Sequence, residues 1–252
     1  MTQTTATLTL SLARSGGVAL GLSLSLSTGS SAAPPVVGSA LWLDALRPGT
    51  LFQDAARTTL AGVGDPVGSW FDPDAGTGAT QSGTARPVRA AAGLTFDGVN
   101  DFLDAAIGAR PQPETIYIVL QASGLSTSLI TLFDAADGVN AGRMLALGFA
   151  GFEHLTIFSG VALQNAARPY GSRVVAAAVF DGVSSVLHVN SVSVSGNAGT
   201  NIGTGLRIGI SGAGGEPMRG EIAMVLRYAA AHTASQRDAI IAWAAARHGV
   251  TL

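Results

Sequence analysis

The 252-residue chain contains no cysteine and no lysine. Without cysteine it has no disulfides, no thiolate metal sites and no thiol nucleophile. Without lysine it has no Schiff-base chemistry and no P-loop, whose lysine reaches the phosphates. All 14 basic residues are arginine, and the formal net charge is −2. The arginines are dispersed, as at Arg86, Arg89, Arg110, Arg168 and Arg173. A phosphate backbone needs a concentrated positive face, so nucleic acid is not an expected partner. The four histidines, His154, His188, His232 and His248, lie too far apart for two ligands on one helix face; this removes zinc sites of the H-E-x-x-H kind. G-x-S-x-G, the signature of a serine nucleophile on a strand–helix elbow, is absent. No apolar run reaches the roughly 18 residues of a bilayer span, so no membrane partner is expected.

What the chain has is apolar residues, at 47%, against 12% charged. That composition supports a substantial core. At the N-terminus Leu8, Leu10 and Leu12 alternate with Thr and Ser. After Gly16-Gly17 the pattern resumes through Leu20, Leu22, Leu24 and Leu26. Period two around a Gly-Gly turn predicts a β-hairpin. Residues 16–33, GGVALGLSLSLSTGSSAA, have the apolar content of a secretory signal. Their only nearby positive charge is Arg14, and serine interrupts every second position of the leucine run, so strands are expected instead. A lone hairpin is marginal in water. Residues 1–28, with these leucines on one face, are therefore expected to attach to a partner or to sister subunits. Ser, Ala and Pro-Pro mark residues 29–38 as a linker, and 39–252 as the main domain.

From Leu41 onward short apolar runs recur between Gly, Pro, Asp and Asn. Examples are TIYIVLQ (115–121), RMLALGF (143–149), RVVAAAVF (173–180) and EIAMVL (221–226). This spacing predicts an all-β sandwich or barrel rather than βαβ units. One helix is expected at the C-terminus. Thr233 and Gln236 form a capping box, Gly249 suits the C′ position, and Ile240, Trp243 and Ala244 make an apolar stripe. The tetrapeptide FDGV occurs at 96–99 and again at 180–183. The first copy opens a cluster of Asp97, Asn100, Asp101 and Asp104, whereas Ser184-Ser185 follow the second. A shared Asp-Gly with different followers reads as turn chemistry, not as an active site.

Several stretches together carry a family resemblance: ALWLDA (40–45), GDPVGSWFDPDAGTGATQ (64–81), GLTFDGVNDFLDA (93–105), FDGVSSVLHVN (180–190) and RGEIAMVLRYAAAHTASQRDAIIAWAAARHGV (219–250). They resemble the concanavalin A-like lectin superfamily in its laminin-G-like jelly-roll branch. The resemblance is to domains of bacteriophage or gene-transfer-agent structural proteins and of large bacterial surface proteins. It implies two antiparallel sheets face to face, a two-sheet jelly-roll sandwich, with a C-terminal helix against it. It also implies carbohydrate binding on loops or on a sheet face. The Glu-x-Asp-x-x-Glu strand of the superfamily's glycoside hydrolases is missing, and the four glutamates, Glu114, Glu153, Glu216 and Glu221, do not match its spacing. No enzymatic activity is expected on these grounds.

Candidate sugar contacts are Phe152, His154 and Tyr170, with Asp137 and Asn140 as polar partners, chosen from their loop positions. Trp42, Trp70 and Trp243 fall in core patterns. No cofactor is expected, though calcium has weak candidates in Asp134, Asp137 and Asn140, and in Asp72 with Asp74; Asx turns account for both groups. The combined expectation is a virion structural protein: a fibre, spike or head or tail decoration, made in the host cytoplasm and displayed on a phage-like particle. It would be homo-oligomeric and would bind host-surface polysaccharide, while residues 1–28 bind other virion proteins. A spike base or adaptor without sugar binding and a bacterial surface adhesin module are the alternatives.

Overall fold

Alternation, turn residues and buried apolar runs translate into strands along nearly the whole chain. The computed structural model describes residues 7–11, 21–25, 33–123, 129–139, 141–149, 152–165 and 170–252. Met1–Ala33 and Pro34–Leu252 form two compact units. In the first, β1 (Thr7–Ser11) pairs antiparallel with β2 (Gly21–Ser25), setting Leu8 opposite Leu24 and Leu10 opposite Leu22. Leu12, Leu20 and Leu26 lie outside the described residues.

The second unit is a two-sheet antiparallel sandwich. Its strands are β3 (Leu41–Asp44), β4 (Leu51–Phe52), β5 (Ser69–Asp72), β6 (Thr77–Thr80), β7 (Val88–Arg89), β8 (Leu94–Asp97), β9 (Leu103–Ala109), β10 (Glu114–Ala122), β11 (Leu129–Asp134), β12 (Arg143–Phe149), β13 (Phe152–Phe158), β14 (Ala162–Asn165), β15 (Val174–Phe180), β16 (Ser185–Val189), β17 (Val192–Gly196), β18 (Thr204–Ile208) and β19 (Arg219–Tyr228). One sheet has the order β17-β16-β15-β10-β19-β8-β7, with β3 also pairing with β19. The other runs β14-β13-β12-β11-β18-β9-β6-β5-β4. The expected all-β jelly-roll sandwich with a C-terminal helix is what the chain forms.

The central strands β10 and β15 are buried almost throughout, because both faces of their sheet are covered. Their near-continuous apolar sequence follows from that. One face meets the second sheet, where Leu41, Trp70, Phe96, Phe133 and Phe180 pack. The other face meets helix α1 (Ala234–His248), where Tyr117, Val119, Met224 and Leu226 meet Ile240, Ile241, Ala244 and Ala245. Among the described residues of this unit no helix packs on the outer side of the nine-stranded sheet, and that outer face carries the site described below.

Helix α1 starts at a reciprocal capping box between Thr233 and Gln236 and ends on Gly249 in the left-handed region, φ 65°. Its buried stripe is Ile240, Ile241, Ala244, Ala245 and His248. Trp243 sits half-buried on the flank, edge-on to Trp42 at 5.9 Å between ring centroids. Glycine has positive φ in both FDGV copies, 81° at Gly98 in a bend and 54° at Gly182, where the second copy enters a single 3-10 turn, Gly182–Ser184. In the first, Asp97 Oδ1 accepts from the Val99 amide at 2.8 Å.

The sandwich is closed along both long edges. On one, Asn165 Nδ2 of β14 donates to the carbonyls of Leu187 and Val192 in the opposite sheet at 3.2 and 3.1 Å. On the other, the Val67 amide donates to Pro87 O at 2.8 Å and Gly64 to Arg89 O at 2.9 Å.

Candidate functional site

Side chains alternate between the faces of a strand, so core residues locate the open face. In β9 Leu103 and Ala105 point into the core, leaving Asp104 and Ala106 on the free face. In β18 Leu206 and Ile208 are core residues and Arg207 is free. Strand register sets Asp134 opposite Arg207, Arg207 opposite Asp104, and Asp104 opposite Thr80. Arg143 of β12 extends the row, with Nε 3.4 Å from Asp134 Oδ2. Arg143 also bonds Glu216, which arrives on the loop between β18 and β19, and donates to Thr131 Oγ1 at 2.9 Å. Charges thus alternate across the sheet: Glu216, Arg143, Asp134, Arg207, Asp104.

Arg207 and Asp104 pair bidentately, Nε to Oδ1 at 2.8 Å and Nη2 to Oδ2 at 2.7 Å. The guanidinium also donates to Gly212 O at 3.2 Å and lies 4.6 Å from the centre of the Phe102 ring. The bond to Asp104 raises the arginine's already high pKa further. Burial pushes the Asp134 carboxyl up, opposed by the Gly212 amide and by Arg143. Asp134 is fully buried, so it props the row and is not reachable from solvent.

Beside the Asp104–Arg207 pair lies an open cleft of about 540 Å³. Asp104, Ala106 and Gly108 of β9, Ala136 and Asp137 after β11, and Thr204 and Gly205 of β18 line it. Most of the lining is small, alanine and glycine, and Asp104 and Asp137 are its two carboxylates. Asp137 is held in place by two backbone donors, Thr204 N at 2.6 Å to Oδ2 and Val139 N at 3.1 Å to Oδ1. Gly205 has φ 72°, and a Cβ there would lie 2.9 Å from Ala136 Cβ, so only glycine lets the turn approach β18 this closely. Beneath the cleft end, Arg110 is buried against Glu114 and donates to Gly142 O at 2.9 Å.

The sequence-derived sugar candidates divide between the two ends of the nine-stranded sheet. Asp137 belongs to the cleft, near the end of β11 and the start of β12. His154, half-buried on β13, pairs in register with Leu147, four residues along from the Arg143–Phe158 pair. At about 3.3 Å per residue, that is ~13 Å toward the opposite end of the strands. Phe152 stands further out on β13, opposite Phe149. Tyr170 bridges to Ala122 and packs, half-buried, on the core. Asn140 lies outside the described residues. Asp104 belonged to the acidic cluster after the first FDGV, which the sequence assigned to turn chemistry, while Arg207, Thr204 and Gly205 carried no motif; the pairing of β9 with β18 brings them together.

Three of the calcium candidates accept hydrogen bonds from within the protein. Asp134 accepts from Ala135 N at 2.8 Å and Gly212 N at 3.0 Å. Asp72 accepts from Trp42 N at 2.6 Å and Arg47 at 3.1 Å, and Asp74 bonds Arg47 at 2.9 Å. Among the described residues no group of three or more His, Asp or Glu is placed to hold a metal ion. Nor is any helix among them long and apolar enough to cross a membrane.

No protein-family model matches the chain, and no curated protein matches it by sequence. Solved structures do match by shape. Trypanosoma rangeli sialidase in complex with sialic acid superposes with a TM-score of 0.58 at 15% identity, over 84% of this chain and 34% of that one. Trypanosoma rangeli sialidase in another structure gives 0.56 at 13%, over 88% and 35%. Domain 4 of an extracellular arabinanase from Geobacillus stearothermophilus, in complex with arabinotriose, matches at 0.44 and 17% identity, over 65% and 81%, too remote to argue from. The chain spans about a third of the length of the sialidases it matches, and at these identities the likeness establishes the fold alone. It also corrects one expectation. The sequence argued against an enzyme because local hydrolase motifs are absent, yet the sandwich is shared with chains that are sialidases. A motif search tests carboxylates on one strand; it does not see carboxylates that sheet pairing assembles from distant segments, as it does Asp104 and Asp137. The exclusion therefore falls, and the chain is a two-sheet sandwich similar in fold to a part of sialidases.

Proposed function

We propose that the sandwich is a carbohydrate-recognition domain whose ligand lies in the cleft beside Asp104 and Asp137. The observation that carries the reading is the cleft itself, about 540 Å³, on the outer face of the nine-stranded sheet. That volume falls within the roughly 300–1,000 Å³ of small-ligand sites and suits a short oligosaccharide. Two carboxylates in its lining accept hydrogen bonds, and their orientation is fixed by Arg207 and by backbone amides. The Arg207 guanidinium beside the cleft is already bidentate with Asp104. The cleft therefore offers acceptors to a donor-rich, uncharged ligand and opposes an anionic one. Trp42 and Trp70 are buried, so no indole platform is available from them. Weak affinity follows, with Kd on the order of 0.1–1 mM, about 4–5.5 kcal/mol.

The finer reading rests on the sequence resemblance. The domain is displayed on the surface of a phage-like particle toward host polysaccharide, and residues 1–28 attach it to other virion proteins or to sister subunits. Screening the full chain on an array of neutral and acidic oligosaccharides tests the first part. Binding to neutral glycans that weakens in Asp137→Ala supports it, whereas no binding to any glycan favours a spike base or adaptor. Deleting residues 1–28 tests the second part: the attachment reading fails if the shortened protein still enters particles.

A further inference from the structure

Three of the chain's four histidines lie in one layer. His188 on β16, His232 just before α1 and His248 in its last turn are all buried, 8%, 5% and 6% exposed, where the helix meets the eight-stranded sheet. On β16 it is Leu187 and Val189 that enter the core between the two sheets, so His188 between them faces the helix side. Titration in this region therefore acts on helix docking and spares the packing between the sheets.

Each imidazole has defined neighbours. His248 Nε2 lies 3.6 Å from Asp44 Oδ1 of β3, with Arg247 beside it on the helix and Arg173, itself bonded to Glu221 of β19, reaching the His248 carbonyl at 3.4 Å. Asp44 is already bonded to Arg247. A protonated His248 would thus be a second cation on a carboxylate that Arg247 already uses, with the Arg173 guanidinium close by. His232 Nδ1 is 2.7 Å from Tyr117 Oη of β10, its ring is 4.2 Å from that of Tyr228 of β19, and Arg237 of the helix adds positive charge. His188 Nδ1 is 3.9 Å from Asp238, which is largely exposed, with Arg237 again nearby. Burial is the leading influence on all three and pushes each below the usual imidazole range, His248 to about 4. Asp44 and Asp238 oppose the shift without cancelling it.

We propose that α1 is an acid-released latch: protonation of His188, His232 and His248 undocks the helix from the eight-stranded sheet while the two-sheet sandwich stays intact. Release bares the apolar face formed by Trp42, Tyr117, Val119, Met224 and Leu226, now covered by the helix. The direction follows from linkage. The undocked state binds more protons than the docked state between about pH 6.5 and the lowered values. Docking is at full strength above pH 7 and weakens as pH falls through that window.

Trp42 on β3 and Trp243 on α1 meet across this interface, 5.9 Å between ring centroids, so tryptophan emission reports docking directly. The experiment titrates the full chain from pH 8 to pH 4, following tryptophan emission and the far-ultraviolet β signal together. A red shift with a midpoint between pH 6.5 and 4, ahead of β-signal loss, is expected. Substituting all three by glutamine (His188→Gln, His232→Gln, His248→Gln) should lower that midpoint by at least one pH unit. His188→Gln alone, at the rim of the layer, should lower it measurably if the triple variant does not fold. Histidine side-chain NMR titration of the unaltered chain then supplies the individual midpoints. One-step loss of both signals, an unmoved midpoint in the variants, or three histidines titrating near 6.5 overturns the proposal.

Discussion

Glu114 is the acid on which the cleft end of the sandwich depends. It is 1% exposed and lies between Arg110 and Arg227, 2% and 6% exposed. Arg110 donates to it at 2.6 and 3.3 Å, and Arg227 at 2.9 Å. In Glu114→Gln one acceptor oxygen remains, but both guanidinium groups lose their counter-charge inside the protein. Removing one partner of a buried ion pair costs about 3–5 kcal/mol, and the retained oxygen places this variant near ~3 kcal/mol. With a urea dependence of about 2–3 kcal/mol per M, the unfolding midpoint should fall by roughly 1–1.5 M. Equilibrium urea unfolding followed by far-ultraviolet circular dichroism measures it. Glu216→Gln is the contrast: its partner Arg143 keeps Asp134 and Thr131, so a shift of only a few tenths of a molar is expected. A Glu114→Gln shift no larger than that of Glu216→Gln would refute the argument, because it would mean that water reaches and compensates the triad.

Other outcomes follow from single contacts. Gly142→Ala should destabilise by about 2 kcal/mol in the same assay, since its φ is 58° and a Cβ would lie 2.6 Å from Arg110 Nη2 and 2.8 Å from Glu114 Oε1. Thr233→Ala should lower stability by about 1 kcal/mol through loss of the capping box, visible as a lower Tm. Burial of His248, from the usual 6.5 to about 4, should remove on the order of 3 kcal/mol of stability as pH falls through that window, at about 1.4 kcal/mol per pH unit; pH-dependent urea midpoints measure it. Asp137→Ala should weaken glycan binding at least several-fold, by calorimetry, while changing Tm little, because its bonds lie at the surface.

The parts legible in the sequence were those encoded locally. Alternation around Leu8 and Leu22 gave the hairpin strands, continuous apolar runs such as TIYIVLQ gave the central strands, and Thr233, Gln236 and Gly249 gave both ends of α1. The stripe on the helix proved broader than the i, i+3, i+4 reading: Ile240 and Ala244 are fully buried as read, Ile241 and Ala245 join them, and Trp243 is half-buried at the flank. The cleft was illegible for a different reason. Asp104 and Arg207 are 103 residues apart; Asp104 stood in a cluster read as turn chemistry, and Arg207 belonged to no motif. Their meeting depends on the register of β9 against β18, which a single sequence does not specify. Loop position selected Asp137, but it grouped that residue with His154 and Phe152, which strand direction places toward the other end of the sheet.

Ligand-induced amide shifts in the full, isotopically labelled chain test the central claim most directly. On titration with a neutral oligosaccharide that binds on the array, shifts should concentrate at Ala106, Gly108, Thr204 and Gly205 and saturate together at millimolar ligand. A sialylated oligosaccharide of equal length should bind more weakly. Saturating shifts confined to His154 and Tyr170, or to any region away from β9 and β18, would contradict the assignment of the cleft as the carbohydrate site.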